Sequence, residues 1–261
     1  MAKTTSSAVP ILLKEIRTAL EAKADERTRI SSVAAQPKTP LKALGVKPSL
    51  LRSVARDVGQ KAKPPVDYAT ALALLDAAAS RKIREEILVA IEILERFRRE
   101  FGASIFPHLE KWGSAAEDLE VAEALGVRIA APALAKEPGK MALVKKWARL
   151  KSVGKRRLAV LAASGLVTDG RREASLVLDM CEHLLHEDNP ALVSAVAGLL
   201  RDTTKVDAKA VQDFLFRRSI DGNPEILRAG SENLDAARRA ALIAKLEAQA
   251  GIPASLAAAE R

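Results

Sequence analysis

Ile83-Arg84-Glu85-Glu86-Ile87-Leu88-Val89-Ala90-Ile91-Glu92-Ile93-Leu94-Glu95 sets the pattern for the whole chain. Ile83, Ile87, Ile91 and Leu94 recur at helical spacing, with Arg84, Glu92 and Glu95 on the other face. That predicts an amphipathic helix whose charged side meets water. The same spacing continues along almost the entire sequence, broken every dozen residues or so by punctuation such as Pro64-Pro65, Gly102, Gly126, Gly154 and Gly222. Asp188 and Asn189 ahead of Pro190, and Asn223 ahead of Pro224, carry the chemistry of helix starts, with proline at the first helical position. Read this way, the chain has about fourteen helices and no strand.

Composition agrees. Hydrophobic residues make up 48% of the 261 residues but aromatics only 3%, so the core must be Ala, Leu, Val and Ile, which suit closely spaced helices. Neighbouring helices group near 66–100, 104–125, 127–150, 154–186, 190–220 and 224–250. Six units of that size predict an all-α fold, an α-solenoid of about six degenerate HEAT-like helix pairs, with a globular helical bundle as the alternative. Residues 1–261 read as one domain, with residues 1–60 as an amino-terminal helical cap and the stacked pairs over 61–250. The single cysteine, Cys181, excludes a disulfide framework. The amino-terminal segment is polar, and the apolar residues after it are broken by Lys14 and Glu15. A cytoplasmic protein with no membrane partner is expected, and a monomer.

The net charge of +9 is regional. Lys145 to Arg172 holds nine cations against Asp169, and Lys38 to Lys63 holds seven against Asp57, so these two segments outweigh an acidic remainder. Such clustering favours a polyanionic partner. The sharpest local feature is Val153-Gly154-Lys155-Arg156-Arg157-Leu158-Ala159-Val160-Leu161, three cations in a first helical turn with no carboxylate one turn on. A phosphate from outside, or carboxylates of a neighbouring helix, should neutralise them. Arg201 and Lys205 near a helix end, and Arg149, add weaker candidates. In the acidic run Glu117-Asp118-Leu119-Glu120-Val121-Ala122-Glu123, Ser114 with Glu117 forms a capping-box pattern that predicts a helix start at Ser114. That leaves Glu120 and Glu123 free for chemistry. His183 and His186 lack a second ligand pair, so neither a metal nor a cofactor is expected, and no nucleotide-binding or hydrolase motif is present. Trp112 and Trp147 read as core.

Leu44-Gly45-Val46 before a basic helix, Lys145-Lys146-Trp147-Ala148, Arg157-Leu158-Ala159-Val160-Leu161 and Leu199-Leu200-Arg201-Asp202, in this order and spacing, resemble the AlkD-like DNA alkylation repair family of HEAT-repeat DNA glycosylases. The resemblance runs from about Leu44 to Leu246. It implies a curved solenoid with a basic concave face for duplex DNA, damaged or branched. Arg157 and Arg201 then stand where the family grips phosphates, with Lys155, Arg156, Lys205 and Arg149 beside them, and Glu120 stands where it has its catalytic aspartate. Ala116 and Gly198 stand where it has tryptophans. The resemblance therefore implies a DNA binder with weak or no glycosylase activity. The alternatives are an active alkylpurine glycosylase and a protein-binding scaffold.

Overall fold

The structure, a computed structural model, describes residues 2–168 and 174–249; Asp169, Arg171 and Arg172 of the basic run lie outside the described residues. Among the described residues every extended element is a helix, and a lone bridge joins Lys42 to Ile83. The amino-terminal part holds α1 (Ala2–Glu21), α2 (Glu26–Ala35) and α3 (Pro48–Lys61). Then come α4 (Tyr68–Arg81), α5 (Arg84–Glu95) and α6 (Phe106–Trp112), followed by a short 3-10 turn (Ala115–Glu117). Next, α7 (Leu119–Glu123) continues through a π-helical stretch (Ala124–Ala130) into α8 (Ala131–Lys136). The remaining helices are α9 (Met141–Trp147), α10 (Val153–Thr168), α11 (Ala174–Glu182), α12 (Pro190–Thr204), α13 (Ala208–Arg218), α14 (Pro224–Gly230) and α15 (Ala236–Gln249). No helix of the described residues is long and apolar enough to cross a membrane.

Packing follows chain order. α3, α5, the π-helical stretch, α10, α12 and α14 each pack on the next, while α11, α13 and α15 form a second series. An all-helical chain whose elements touch mainly their neighbours is consistent with an α-solenoid. Asn189 and Asn223 open α12 and α14 as expected, their side chains accepting from the amides of Ala191 and Leu192, and of Glu225. Trp112 and Trp147 are core residues, and their indole N–H groups donate to Asp76 at 2.8 Å and Glu110 at 3.2 Å.

Three expectations are corrected. Arg84 does not face water. Arg84, Glu85 and Glu86 are all buried, because each meets a partner from a distant element and α5 is wrapped on nearly every side. The break at Gly126 does not occur either. A Cβ there would lie 2.4 Å from the Leu161 Cβ, so glycine serves the close approach of α10, and the helix runs on through it. Finally, Ser114 caps nothing with its side chain. Residues 115–117 turn as 3-10, and the helix begins after Asp118, whose carboxylate takes the Glu120 and Val121 amides.

Candidate functional site

Asp118 is the hinge between core and site. Its Oδ1 caps α7 at 3.1 and 3.2 Å, and its Oδ2 accepts from Arg84 Nε at 2.7 Å and from the Thr39 hydroxyl at 3.0 Å. Arg84 and Asp118 are 2% and 0% exposed, so this is a buried ion pair with its hydrogen bonds largely supplied by protein. Arg84 also reaches the Ser32 hydroxyl, and the Gln36 side-chain oxygen accepts from the Leu119 amide at 2.6 Å. The next residue, Glu85, accepts from the Leu44 and Gly45 amides at 2.9 and 2.8 Å, fixing the Leu44-Gly45-Val46 turn. Glu86 takes Arg17 and Arg81. The charged triplet in α5 thus locks the amino-terminal helices onto the start of α7.

A groove crosses the helices of the first series. It is marked by three successive cavities of about 380, 410 and 590 Å³; Glu92 lines the first and second, and Glu123 the second and third. Five arginines (Arg52, Arg56, Arg96, Arg128, Arg157) and five carboxylates (Glu92, Glu95, Glu120, Glu123, Asp202) line it, a mixed rather than a uniformly basic floor. Arg128 is spoken for, with Nη1 2.7 Å from Glu92 and Nε 2.8 Å from Glu95. Burial pulls its pKa down, but the bonds to Glu92 and Glu95 outweigh this and raise it.

Arg157 is different. It is 6% exposed and lines the third cavity, and its Nε and Nη1, both buried, have no hydrogen-bond partner among the described residues. Burial lowers its pKa, against the fields of Asp118 and Glu123, neither of which forms an ion pair with it. A guanidinium remains charged at neutral pH even so, and an unpaired buried charge is costly until an acceptor arrives. Glu120 points into the second cavity. The protein crowded around it raises its carboxyl pKa, Arg84 opposes the rise, and Asp118, Glu85 and Glu123 add to it.

The other candidates divide. Arg156 is held within the protein by Glu187 at 2.7 Å and by the Leu150 and Lys151 carbonyls at 2.8 Å. Arg201 pairs with Glu232 at 3.0 Å beside Gly198, and Lys205 pairs with Asp202 at 2.9 Å on the groove wall. Lys155 forms no ion pair among the described residues and lies against Gly113. Arg149 stands apart, donating to His183 Nε2 at 2.5 Å next to the Lys145–Asp179 pair. Sequence reasoning set Arg84 on a water-facing side and passed over Arg96 and the capping role of Asp118. Only the last had a local signal, an Asp directly before an apolar helical stretch.

Ala116 and Gly198 do not offer equivalent gaps. Ala116 is fully buried under the start of α10, whereas a Cβ on Gly198 would meet only Arg201 Nη2, at 3.7 Å, across open space. Among curated proteins none matches the chain. The family model for DNA alkylation repair enzyme does match, over residues 16–234, a span that takes in the end of α1, all of α2 and α3, the whole groove and α14. On that match the chain belongs to the DNA alkylation repair enzyme family.

Proposed function

We propose that this chain binds duplex DNA along the groove by its backbone, on a concave face of about six HEAT-like units, and removes alkylated purines weakly or not at all. The observation that carries the reading is Arg157. Its guanidinium is buried at the groove with no ion pair and with Nε and Nη1 unpartnered among the described residues, a charge that a phosphate oxygen reaching the cavity would compensate. Arg96 and Lys155, in no ion pair among the described residues, are available for further phosphates, whereas Arg156, Arg201 and Lys205 are already neutralised internally. Weak chemistry follows from Ala116 and Gly198, which place no aromatic side chain against a lesion nucleotide.

Replacing Arg157 with Met separates binding from structure. Duplex affinity should fall about tenfold or more in a fluorescence-anisotropy titration, the scale of one charge-assisted hydrogen bond. Thermal stability should hold or rise, because the variant buries no orphan charge. Unchanged affinity together with a large loss of stability would make Arg157 a structural residue and remove the support for this reading.

Excision of a cationic alkylated purine is the second reading, favoured by Glu120 and Glu123 on the groove wall. A carboxylate beside the sugar stabilises an oxocarbenium-like transition state. Release of N7-methylguanine from alkylated duplex is expected to stay near the no-enzyme control. Any release that does occur should drop about 100-fold or more in Glu120→Gln. Strong release indifferent to that change would place the chemistry elsewhere.

A further inference from the structure

The fold uses one face of α1 and leaves the opposite one open. Leu12, Leu13, Ile16 and Leu20 are buried where α1 packs on α3, α4 and α5. On the other side Ile11, Glu15, Thr18 and Ala22 recur at 4-3-4 spacing, the seam that one helix offers another in a coiled coil, and all four are exposed. Ile11 is 60% exposed, the most of any large apolar side chain in a described helix. A groove of about 760 Å³ runs beside this seam between α1 and α3, with Val54 and Val58 on its wall. α3 turns Arg52, Ala55 and Arg56 to the first of the three cavities described above and Val54 and Val58 to the α1 side, so the two surfaces can be occupied independently.

An exposed isoleucine alone needs no explanation, but the charges beside it narrow what can cover it. Glu15 stands within the seam and Lys14 at its flank, and neither forms an ion pair among the described residues. A carboxylate closed into a helix seam is costly unless a cation meets it. Laid antiparallel across a two-fold axis between residues 14 and 15, two copies of α1 bring Lys14 of each against Glu15 of the other. The same register sets Ile11 of each over Thr18 and Ala19 of the other, with Val54 and Val58 alongside. A uniformly acidic or uniformly basic partner helix would instead meet one of the two charges with repulsion. We infer that the open face of α1 is a self-association surface, through which two copies of this chain form an antiparallel dimer. That departs from the monomer expected from the sequence, and it holds whatever the groove binds. About three turns of one helix from each copy make a small interface, so the dimer is weak, with a Kd of about 10 to 50 µM.

Sedimentation velocity on the full chain, without DNA, from about 1 to 300 µM tests this directly. The mass should rise toward twice that of the chain over this range. Ile11→Glu should weaken association about 100-fold or more and stay monomeric throughout, with an unchanged circular dichroism spectrum because Ile11 is exposed. Lys14→Glu and Glu15→Lys should each weaken it about tenfold, since each change turns two attractions into two repulsions. An equimolar mixture of those two variants should associate as a heterodimer about as strongly as the unmodified chain. The double variant Lys14→Glu/Glu15→Lys should likewise regain the dimer. A chain still monomeric at 300 µM would overturn the inference and leave the face to a different protein or to solvent. A dimer indifferent to Ile11→Glu would overturn it by placing the contact elsewhere. Charge variants that fail to complement one another would overturn the pairing of Lys14 with Glu15, and with it the dimer proposed.

Discussion

Asp118→Ala should cost about 4 kcal/mol, the largest loss of stability expected from any single change in the groove region. Three effects act together. The Arg84 guanidinium, 2% exposed, loses its partner at 2.7 Å and stays buried as an uncompensated charge. The α7 amino terminus loses its cap, and Thr39 loses an acceptor. For a chain of this size the thermal midpoint should fall by roughly 8–16 °C. The double variant Arg84→Met/Asp118→Leu leaves no orphan charge and should lose clearly less than Asp118→Ala. If the single change lowered the midpoint by no more than a surface substitution does, or the double variant were the worse of the two, the buried pair would not be what locks the amino-terminal helices to α7.

Gly154→Ala should be destabilising by about 3 kcal/mol, although alanine is the better helix former. A Cβ at Gly154 would stand 2.1 Å from the Gly113 carbonyl oxygen and 3.0 Å from the Glu117 amide, both backbone atoms that cannot rotate away. The propensity gain of alanine is at most about 1 kcal/mol, so the clash decides the sign. The displaced element would be the start of α10, which carries Arg157. DNA affinity should therefore fall together with stability in Gly154→Ala, whereas in Arg157→Met affinity falls alone. Calorimetry and anisotropy on the two variants distinguish these patterns, and a Gly154→Ala protein as stable as the parent would show that α10 does not pack so closely.

Those two sites also show what the sequence disclosed and what it withheld. Helical periodicity, the Asn189 and Asn223 caps and the buried tryptophans were legible because each depends on residues within one or two turns. Arg84 was misplaced, and the burial of Glu85 and Glu86 went unread, because their partners are remote in sequence: Asp118, the Leu44 and Gly45 amides, and Arg17. Charged residues on an otherwise apolar helix look solvated until those partners are known. Gly126 looked like a break, but its role is to admit Leu161 from another helix. In the site, Arg157 was legible as a cation lacking an intrahelical partner. Arg156, with the same local pattern, is satisfied by Glu187, thirty-one residues away. Spacing alone could not separate these neighbours.

The central claim is that the groove holds the phosphate backbone of a duplex. Its most direct test is the salt dependence of duplex binding by the unmodified chain, measured by anisotropy across a range of potassium chloride concentrations. With several cations neutralised internally, about four to six phosphates should be engaged. That gives a log–log slope of magnitude about 3.5 to 5.5 between affinity and salt, shallower by about one unit in Arg157→Met. A slope near zero, or one that Arg157→Met leaves unchanged while affinity persists, would contradict the account.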